Sequence, residues 1–264
     1  MISQYYMIRV FTPFFYTLEF LIAIIVFIFS LYFYVKRIDR NSLLVFLIVG
    51  MINSGVELLL QGIGIRVVEN ACLFSLPIGF PFIAFILGFY EGGVKTLLAY
   101  HFVKFIIDKK RYNELFLSFL VIIVFIPFFI YSIVSATQIG EGTTNITITV
   151  RDMLAPLSIF LLILAFILSI SYFILNESIP KERKMTLLYY EFGVVVYLLI
   201  WMVPLHVFLQ RYIGIFQNNN YIPASILEQI LFMYVYFLFS EGVGVNIIMY
   251  PLIYHFKLIE FDNL

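Results

Sequence analysis

Residues 11–35 read FTPFFYTLEFLIAIIVFIFSLYFYV, an apolar run in which Glu19 is the only charged side chain. Crossing the hydrocarbon core of a membrane as a helix takes about 20 mostly apolar residues. Because lipid offers the backbone no hydrogen-bond partner, a run of this kind is stable there only as a helix. Lys36 and Arg37 follow at once and mark the end of the span. The stretch therefore predicts an uncleaved first transmembrane helix.

The rest of the chain has the same character. Of its 264 residues, 63% are apolar and 12% are charged, and the mean hydropathy is +1.03. Soluble domains carry about 25% charged residues. We predict an all-α integral membrane protein with seven transmembrane helices, forming a single membrane domain over residues 1–264. The predicted spans are Phe11–Val35, Ser42–Gly62, Pro81–Ile107, Leu115–Ser135, Met153–Leu175, Thr186–Leu209 and Ser225–Phe256.

Basic residues alternate between the two ends of these spans. Lys and Arg in short loops mark the cytoplasmic side of a membrane protein. Basic clusters follow the first, third and fifth spans, at positions 36–40, 109–111 and 181–184, and Lys257 follows the seventh. The opposite loops contain only Arg66, Arg151 and Arg211. We therefore predict an N-terminus outside and a C-terminus in the cytoplasm.

The chain also resembles itself at a shift of 150 residues. Glu91-Gly92 then aligns with Glu241-Gly242, and Ile63-Gly64-Ile65 aligns with Ile213-Gly214-Ile215. A fixed internal register of this kind indicates duplication. We predict a 3+1+3 plan: a first three-helix repeat over 1–112, a linker helix 4 over 113–137, and a second repeat over 150–264. The linker helix makes the two repeats parallel, and this topology resembles that of the SWEET sugar facilitators.

Charged side chains inside the predicted spans are candidate functional residues, because each costs a few kcal/mol in lipid. Glu91 and Glu241 lie near mid-depth at equivalent positions of the two repeats. Lys95 is four residues from Glu91, so the two can form an ion pair on one helix face. We expect these groups to line one cavity that binds a small solute or ion. The candidate cavity residues are Glu19, Glu57, Glu91, Lys95, His206 and Glu241.

Small residues flank both mid-depth glutamates: Gly92 and Gly93 in the third span, and Gly242 and Gly244 in the seventh. Small side chains allow helices to approach closely. The alternative is a hinge or a locally unwound turn that exposes backbone carbonyls to a ligand. Close packing is the favoured interpretation.

Other kinds of site find no support in the sequence. A net charge of zero gives no attraction for nucleic acid. Cys72 stands alone, which excludes multi-cysteine metal and redox motifs. His101 and His255 lie toward the end opposite His206, where we expect them to be interfacial anchors, so no metal site is predicted. The cofactor stays undetermined. The expected partners are membrane lipid and a small-molecule or lipid ligand, and an oligomer is left open.

Three functions compete. The matched carboxylates and the repeat favour a small-solute carrier, with or without proton coupling. One stretch, Glu57-Leu-Leu-Leu-Gln-Gly-Ile-Gly followed by Leu76-Pro-Ile-Gly-Phe-Pro, resembles the carotenoid hydratases. That resemblance implies an intramembrane enzyme on an isoprenoid or other lipid, with a glutamate as general acid. The third hypothesis is a seven-helix sensor or partner-binding protein. Whether the chain is an enzyme stays open.

Overall fold

The computed structural model describes residues 5–138, 146–207, 210–217, 220–236 and 246–259. The chain is mostly helical. Within these ranges, six helices are long and apolar enough to cross a membrane, as expected for an integral membrane protein. Their bounds follow the apolar runs of the sequence closely; the third, for example, begins one residue after the predicted start and ends at the predicted residue, Ile107.

The helices are numbered in chain order. They are α1 (Phe14–Val35), α2 (Arg40–Gly62), α3 (Phe82–Ile107), α4 (Tyr112–Gln138), α5 (Pro156–Ile174), α6 (Lys181–Val207), α7 (Ile226–Ile230) and α8 (Met249–His255). A short 3-10 turn, Lys109–Arg111, precedes α4. Helix α3 contains a π-helical segment, Gly88–Val94, and α5 ends in another, Ile170–Ile174. A third π-helical segment, Leu231–Tyr236, continues α7.

The predicted seventh span, Ser225–Phe256, is described only at its two ends. Helix α7 begins after Ser225, whose side chain accepts a hydrogen bond from the backbone N–H of Glu228 in a capping box. Helix α8 ends at His255, one residue before the predicted end of the span. The middle of the span lies outside the described residues, so the seventh crossing stays a prediction.

A five-stranded antiparallel sheet corrects the prediction of a purely α-helical chain. The strands are β1 (Tyr5–Phe11), β2 (Arg66–Glu69), β5 (Thr147–Asp152), β6 (Arg211–Gln217) and β7 (Asn220–Pro223), paired in the order β2-β5-β1-β6-β7. A separate small hairpin pairs β3 (Cys72–Leu73) with β4 (Leu76–Pro77). The strands are rich in Tyr, Ile, Val and Thr, which favour pleated structure.

The sheet gathers the N-terminal segment and three interhelical connections at one end of the helices. Each strand is short, so the hydrophobicity that reveals the spans does not reveal the sheet. Pairing satisfies backbone groups that would otherwise be buried against the helix ends without partners. The N-terminal segment and the α2–α3, α4–α5 and α6–α7 connections therefore lie on the same side of the protein.

The opposite end is tied together by Asp39, which precedes α2. Its carboxylate accepts from the backbone N–H of Asn41 at 3.1 Å and from the Ser42 hydroxyl at 2.5 Å, and it pairs with Lys104 of α3 at 2.8 Å. Burial alone raises the pKa of Asp39, but Lys104, His101 and the hydrogen bonds outweigh it and hold the pKa below its ordinary value. The α1–α2 connection is thereby fastened to α3.

The C-terminal segment joins the same end. The backbone carbonyl of Leu258 accepts hydrogen bonds from the Asn41 side chain at 3.0 Å and from the Tyr100 hydroxyl at 2.9 Å. The loops with most basic residues thus lie opposite the sheet. The structure separates the two ends of the protein, and the assignment of inside and outside stays with the sequence prediction.

Helices α2 and α3 approach each other closely at glycines. A Cβ at Gly88 would overlap the backbone of Ser54, and one at Gly92 would overlap the side chain of Asn53. A Cβ at Gly93 would stand 3.1 Å from the ring of Phe46. Glycine is needed at Gly88 because the backbone of Ser54 leaves no room for a side chain there. The packing places Glu91 against α2.

Candidate functional site

Four arginines extend from one face of the sheet toward the helices. Arg66 lies directly opposite Arg151, and Arg9 lies directly opposite Arg211. Directly opposed residues lie on the same face of a sheet, and so do residues two apart in one strand. Arg9 therefore shares a face with Met7, and Met7 lies opposite Arg151, so all four arginines are on one face. Opposed like charges repel each other. This face therefore needs carboxylates to balance it.

Glu57 of α2 and Glu91 of α3 supply that balance. Arg66 donates from Nη1 to Glu57 Oε1 at 2.7 Å and forms two further bonds to the two carboxylate oxygens of Glu91, each at 3.1 Å. Arg9 donates to Glu91 Oε1 at 2.8 Å. Arg66 is only 2% exposed. Burial alone would lower the pKa of Arg66, but the two carboxylates raise it above its ordinary value, so the guanidinium stays charged.

The partners of Glu91 differ from the expected one. Its described ion pairs are with Arg9 and Arg66 of the sheet, whereas the sequence pointed to Lys95 four residues along the same helix. The π-helical segment Gly88–Val94 explains the difference. Its i→i+5 hydrogen bonding changes the angular relation between residues four apart, and such segments are frequent at functional sites.

Lys95 interacts electrostatically with Glu191 of α6. Both residues are buried, and neither oxygen of Glu191 has a hydrogen-bond partner in the described part of the chain. Sequence reasoning missed Glu191, although the rule that selected Glu19 would have found it. It is an acidic residue inside a predicted apolar span.

These groups surround a cavity of about 120 Å³ between the sheet and helices α1, α2, α3, α4 and α6. Charged side chains occupy its sheet end, and apolar side chains of α4 and α6 form much of the remaining wall. The charged lining residues are Arg9, Glu19, Glu57, Glu91, Lys95, Arg151 and Arg211. The apolar lining includes Phe15, Leu87, Ile126, Phe129, Ile130, Ile200 and Leu205.

Four predicted cavity residues, Glu19, Glu57, Glu91 and Lys95, lie in this wall. Gly92 also lines the cavity, and Gly93 packs against α2. The described lining does not include His206, which contacts Tyr234 with ring centroids 5.5 Å apart. The remaining three predicted residues, Glu241, Gly242 and Gly244, lie outside the described residues.

The expectation of an interfacial role for His101 is wrong. His101 is buried in α3, with Nε2 at 2.7 Å from the Ser42 hydroxyl and Nδ1 at 2.6 Å from the Ser118 hydroxyl. The polar partners on α2 and α4 explain its burial, because a buried imidazole needs hydrogen bonds at its nitrogens. His255 bonds to the Tyr172 hydroxyl at an exposed position.

No family model, curated protein or solved structure matches this chain. In the described ranges, no three His, Cys, Asp or Glu side chains are grouped to hold a metal ion. The cavity offers guanidinium donors, carboxylate acceptors and an apolar wall to one bound molecule. The sequence indicates Arg66, Arg151 and Arg211 only as loop charges, Arg9 is not among the candidate residues, and no local pattern predicts that the four converge.

Proposed function

We propose that the protein is a seven-helix membrane carrier for a small solute, with its N-terminus outside and its C-terminus in the cytoplasm. The observation that carries the proposal is the cavity, which is lined by charged residues from the sheet and from several helices. Buried charges in a membrane protein are costly and usually mark a substrate or ion pathway. The large apolar side chains exposed on the outer helix surfaces are suited to contact with membrane lipid.

The sheet supports parallel repeats. Four of the strands are arranged symmetrically about the β1·β5 pair: β2 pairs with β5 on one side, and β6 pairs with β1 on the other. Strand β5 therefore corresponds to β1, and β6 corresponds to β2. The residue register obeys the same correspondence, which matches Arg9 with Arg151 and Arg66 with Arg211. A pseudo-two-fold axis between two parallel three-helix repeats would produce this pattern. We propose 1–112 and 150–264 as those repeats.

This correspondence refines the proposed alignment. Gly64 has a positive φ of 75° in the turn before β2, whereas Gly214 lies within β6. The ungapped shift therefore matches a turn residue with a strand residue. Matching Arg66 with Arg211 instead requires a gap before the third and seventh spans. We retain the proposal that Glu91 and Glu241 are equivalent mid-depth carboxylates of one cavity.

Transport by reconstituted protein tests the carrier. Native mass spectrometry of gently extracted protein identifies the co-purified molecule, and uptake of that molecule is then measured in proteoliposomes. We expect Glu241→Gln to fold, to reduce uptake and to weaken any pH dependence. Glu177→Gln, at an exposed position between α5 and α6, is the matched control and should transport normally. Unchanged uptake and pH dependence in Glu241→Gln would exclude Glu241 from the transport pathway, and absence of uptake by the wild-type protein would overturn the carrier.

The apolar wall favours a second candidate, an intramembrane enzyme that acts on an isoprenoid or other lipid. Such a substrate could place a polar group against the charged end of the cavity and its chain along α4 and α6. Glu57, Glu91 or Glu241 would then be the general acid. The same mass spectrometry separates the two candidates. A bound isoprenoid favours the enzyme, and a polar solute favours the carrier.

A further inference from the structure

Glu19 differs from the other carboxylates of the cavity. It lies in α1, is 2% exposed and lines the cavity wall. Its Oε2 is buried and has no hydrogen-bond partner in the described part of the protein. In contrast, Glu57 accepts one hydrogen bond from Arg66, and Glu91 accepts two from Arg66 and one from Arg9. Among the described carboxylates that line the cavity, Glu19 is thus the one with no described hydrogen bond to an arginine.

This arrangement divides the carboxylates by chemical role. A carboxylate that accepts several guanidinium bonds is held in its charged form and loses those bonds when it is protonated. Burying an ionised carboxylate without donors is far more costly, whereas a neutral carboxyl avoids most of that cost. A proton can therefore bind to Glu19 without breaking the ion pairs beneath the sheet.

Both signs of charge surround Glu19. Protonation of Glu19 removes one negative charge from this group and weakens the repulsion among three neighbouring carboxylates. The charged and titratable groups that interact with it are Arg9, Tyr16, Glu57, Arg66, Tyr90 and Glu91.

We propose that Glu19 is the proton-binding residue of the cavity, and that it exchanges this proton as the solute moves. A proton from the aqueous phase forms an O–H bond to the carboxylate of Glu19, whose charge changes from −1 to 0. Release to the other aqueous phase breaks that bond and restores the carboxylate. The exchange step rests on the proposed carrier function, whereas proton binding at Glu19 does not.

Infrared difference spectroscopy tests proton binding without any solute. Purified protein in lipid nanodiscs is titrated with acid and base while the carbonyl stretch of protonated carboxyl groups is recorded. We expect a pH-dependent band in the wild-type protein that Glu19→Gln removes. Glu191→Gln is the matched control and should keep the Glu19 band, because Glu191 is also buried and, in the described part of the chain, has no hydrogen-bond partner and does not line the cavity. If Glu19→Gln leaves the whole pH-dependent carbonyl signal unchanged, the proposal is overturned.

A second measurement uses the wild-type chain, in case Glu19→Gln does not fold. Dicyclohexylcarbodiimide reacts with protonated carboxyl groups in apolar surroundings, and peptide mass mapping locates the adduct. We expect modification of Glu19 that decreases as the pH is raised. Modification of other glutamates with none on Glu19 overturns the proposal.

The two proposals fail in different ways. If the infrared band depends on Glu19 but solute uptake moves no protons, proton binding stands and the coupled carrier fails. If uptake is accompanied by proton movement that Glu19→Gln leaves unchanged, the carrier stands and the assignment of its proton to Glu19 fails.

Discussion

Replacing Arg66 should strongly destabilise the protein. Arg66 links β2 to two helices through Glu57 at 2.7 Å and Glu91 at 3.1 Å. Arg66→Gln leaves Glu91 with Arg9 but removes the only ion pair described for Glu57. Breaking a buried ion pair costs about 3–5 kcal/mol, mainly because the remaining charge is uncompensated. The Glu57 side chain is 10% exposed, so water offers it little relief.

We therefore expect Arg66→Gln to lower the free energy of unfolding by about 3–5 kcal/mol. The assay is reversible unfolding in mixed micelles with increasing denaturing detergent, followed by far-ultraviolet circular dichroism. Arg37→Gln is the control, because Arg37 is exposed at the opposite end and its loss should change stability by less than about 0.5 kcal/mol.

A double mutant isolates the mechanism. Adding Glu57→Gln to Arg66→Gln removes the stranded carboxylate and should restore about 1–3 kcal/mol. The reasoning is refuted if Arg66→Gln costs less than about 1 kcal/mol, or if the second substitution adds a further loss of stability. Either result would mean that Glu57 has adequate solvation without its arginine.

Three further predictions concern packing, pH and topology. Gly88→Ala should lower the free energy of unfolding by about 1–3 kcal/mol in the same assay, because the added methyl group overpacks the contact with Ser54. Gly55→Ala is the control and should be neutral or slightly stabilising, because its Cβ would meet open space. Equal effects of the two substitutions would contradict the close approach of α2 and α3. Asp39→Asn should destabilise the protein at pH 7. Because the pKa of Asp39 is lower in the folded than in the unfolded state, its contribution to stability is lost as the pH falls below about 4, and the difference in stability between the variant and the wild type should vanish there. In a cysteine-free background, an impermeant thiol reagent added outside should label a cysteine at Glu69 and not one at Lys184; the reverse pattern would invert the proposed orientation.

The spans could be predicted because their signal is local. The third span was expected at Pro81–Ile107 and the helix occupies Phe82–Ile107. Lipid cannot satisfy an open backbone, so a long apolar run can become only a helix, whatever its neighbours are. The same locality explains why charged residues within the spans could be selected as candidates without knowledge of the fold.

The sheet could not be predicted in this way, because each strand owes its pairing to a distant segment. Arg9 lies opposite Arg211, and Arg66 lies opposite Arg151. Alternation was visible in segments such as TITVRD, but short alternating runs also occur in loops. The reading of Arg66, Arg151 and Arg211 as loop charges followed from treating each connection alone.

The sequence by itself determined which runs are long and apolar enough to cross a membrane and that Glu19, Glu57 and Glu91 would be costly there. Only the tertiary structure decided how that cost is met. The energy of a buried charge depends on the donors within a few ångströms, and those come from strands far away in the chain. Arg9 and Arg66 hold Glu91, Arg66 holds Glu57, and Oε2 of Glu19 receives no hydrogen bond within the described ranges. Three residues with the same side chain thus acquire different chemistry from where the sheet places its arginines.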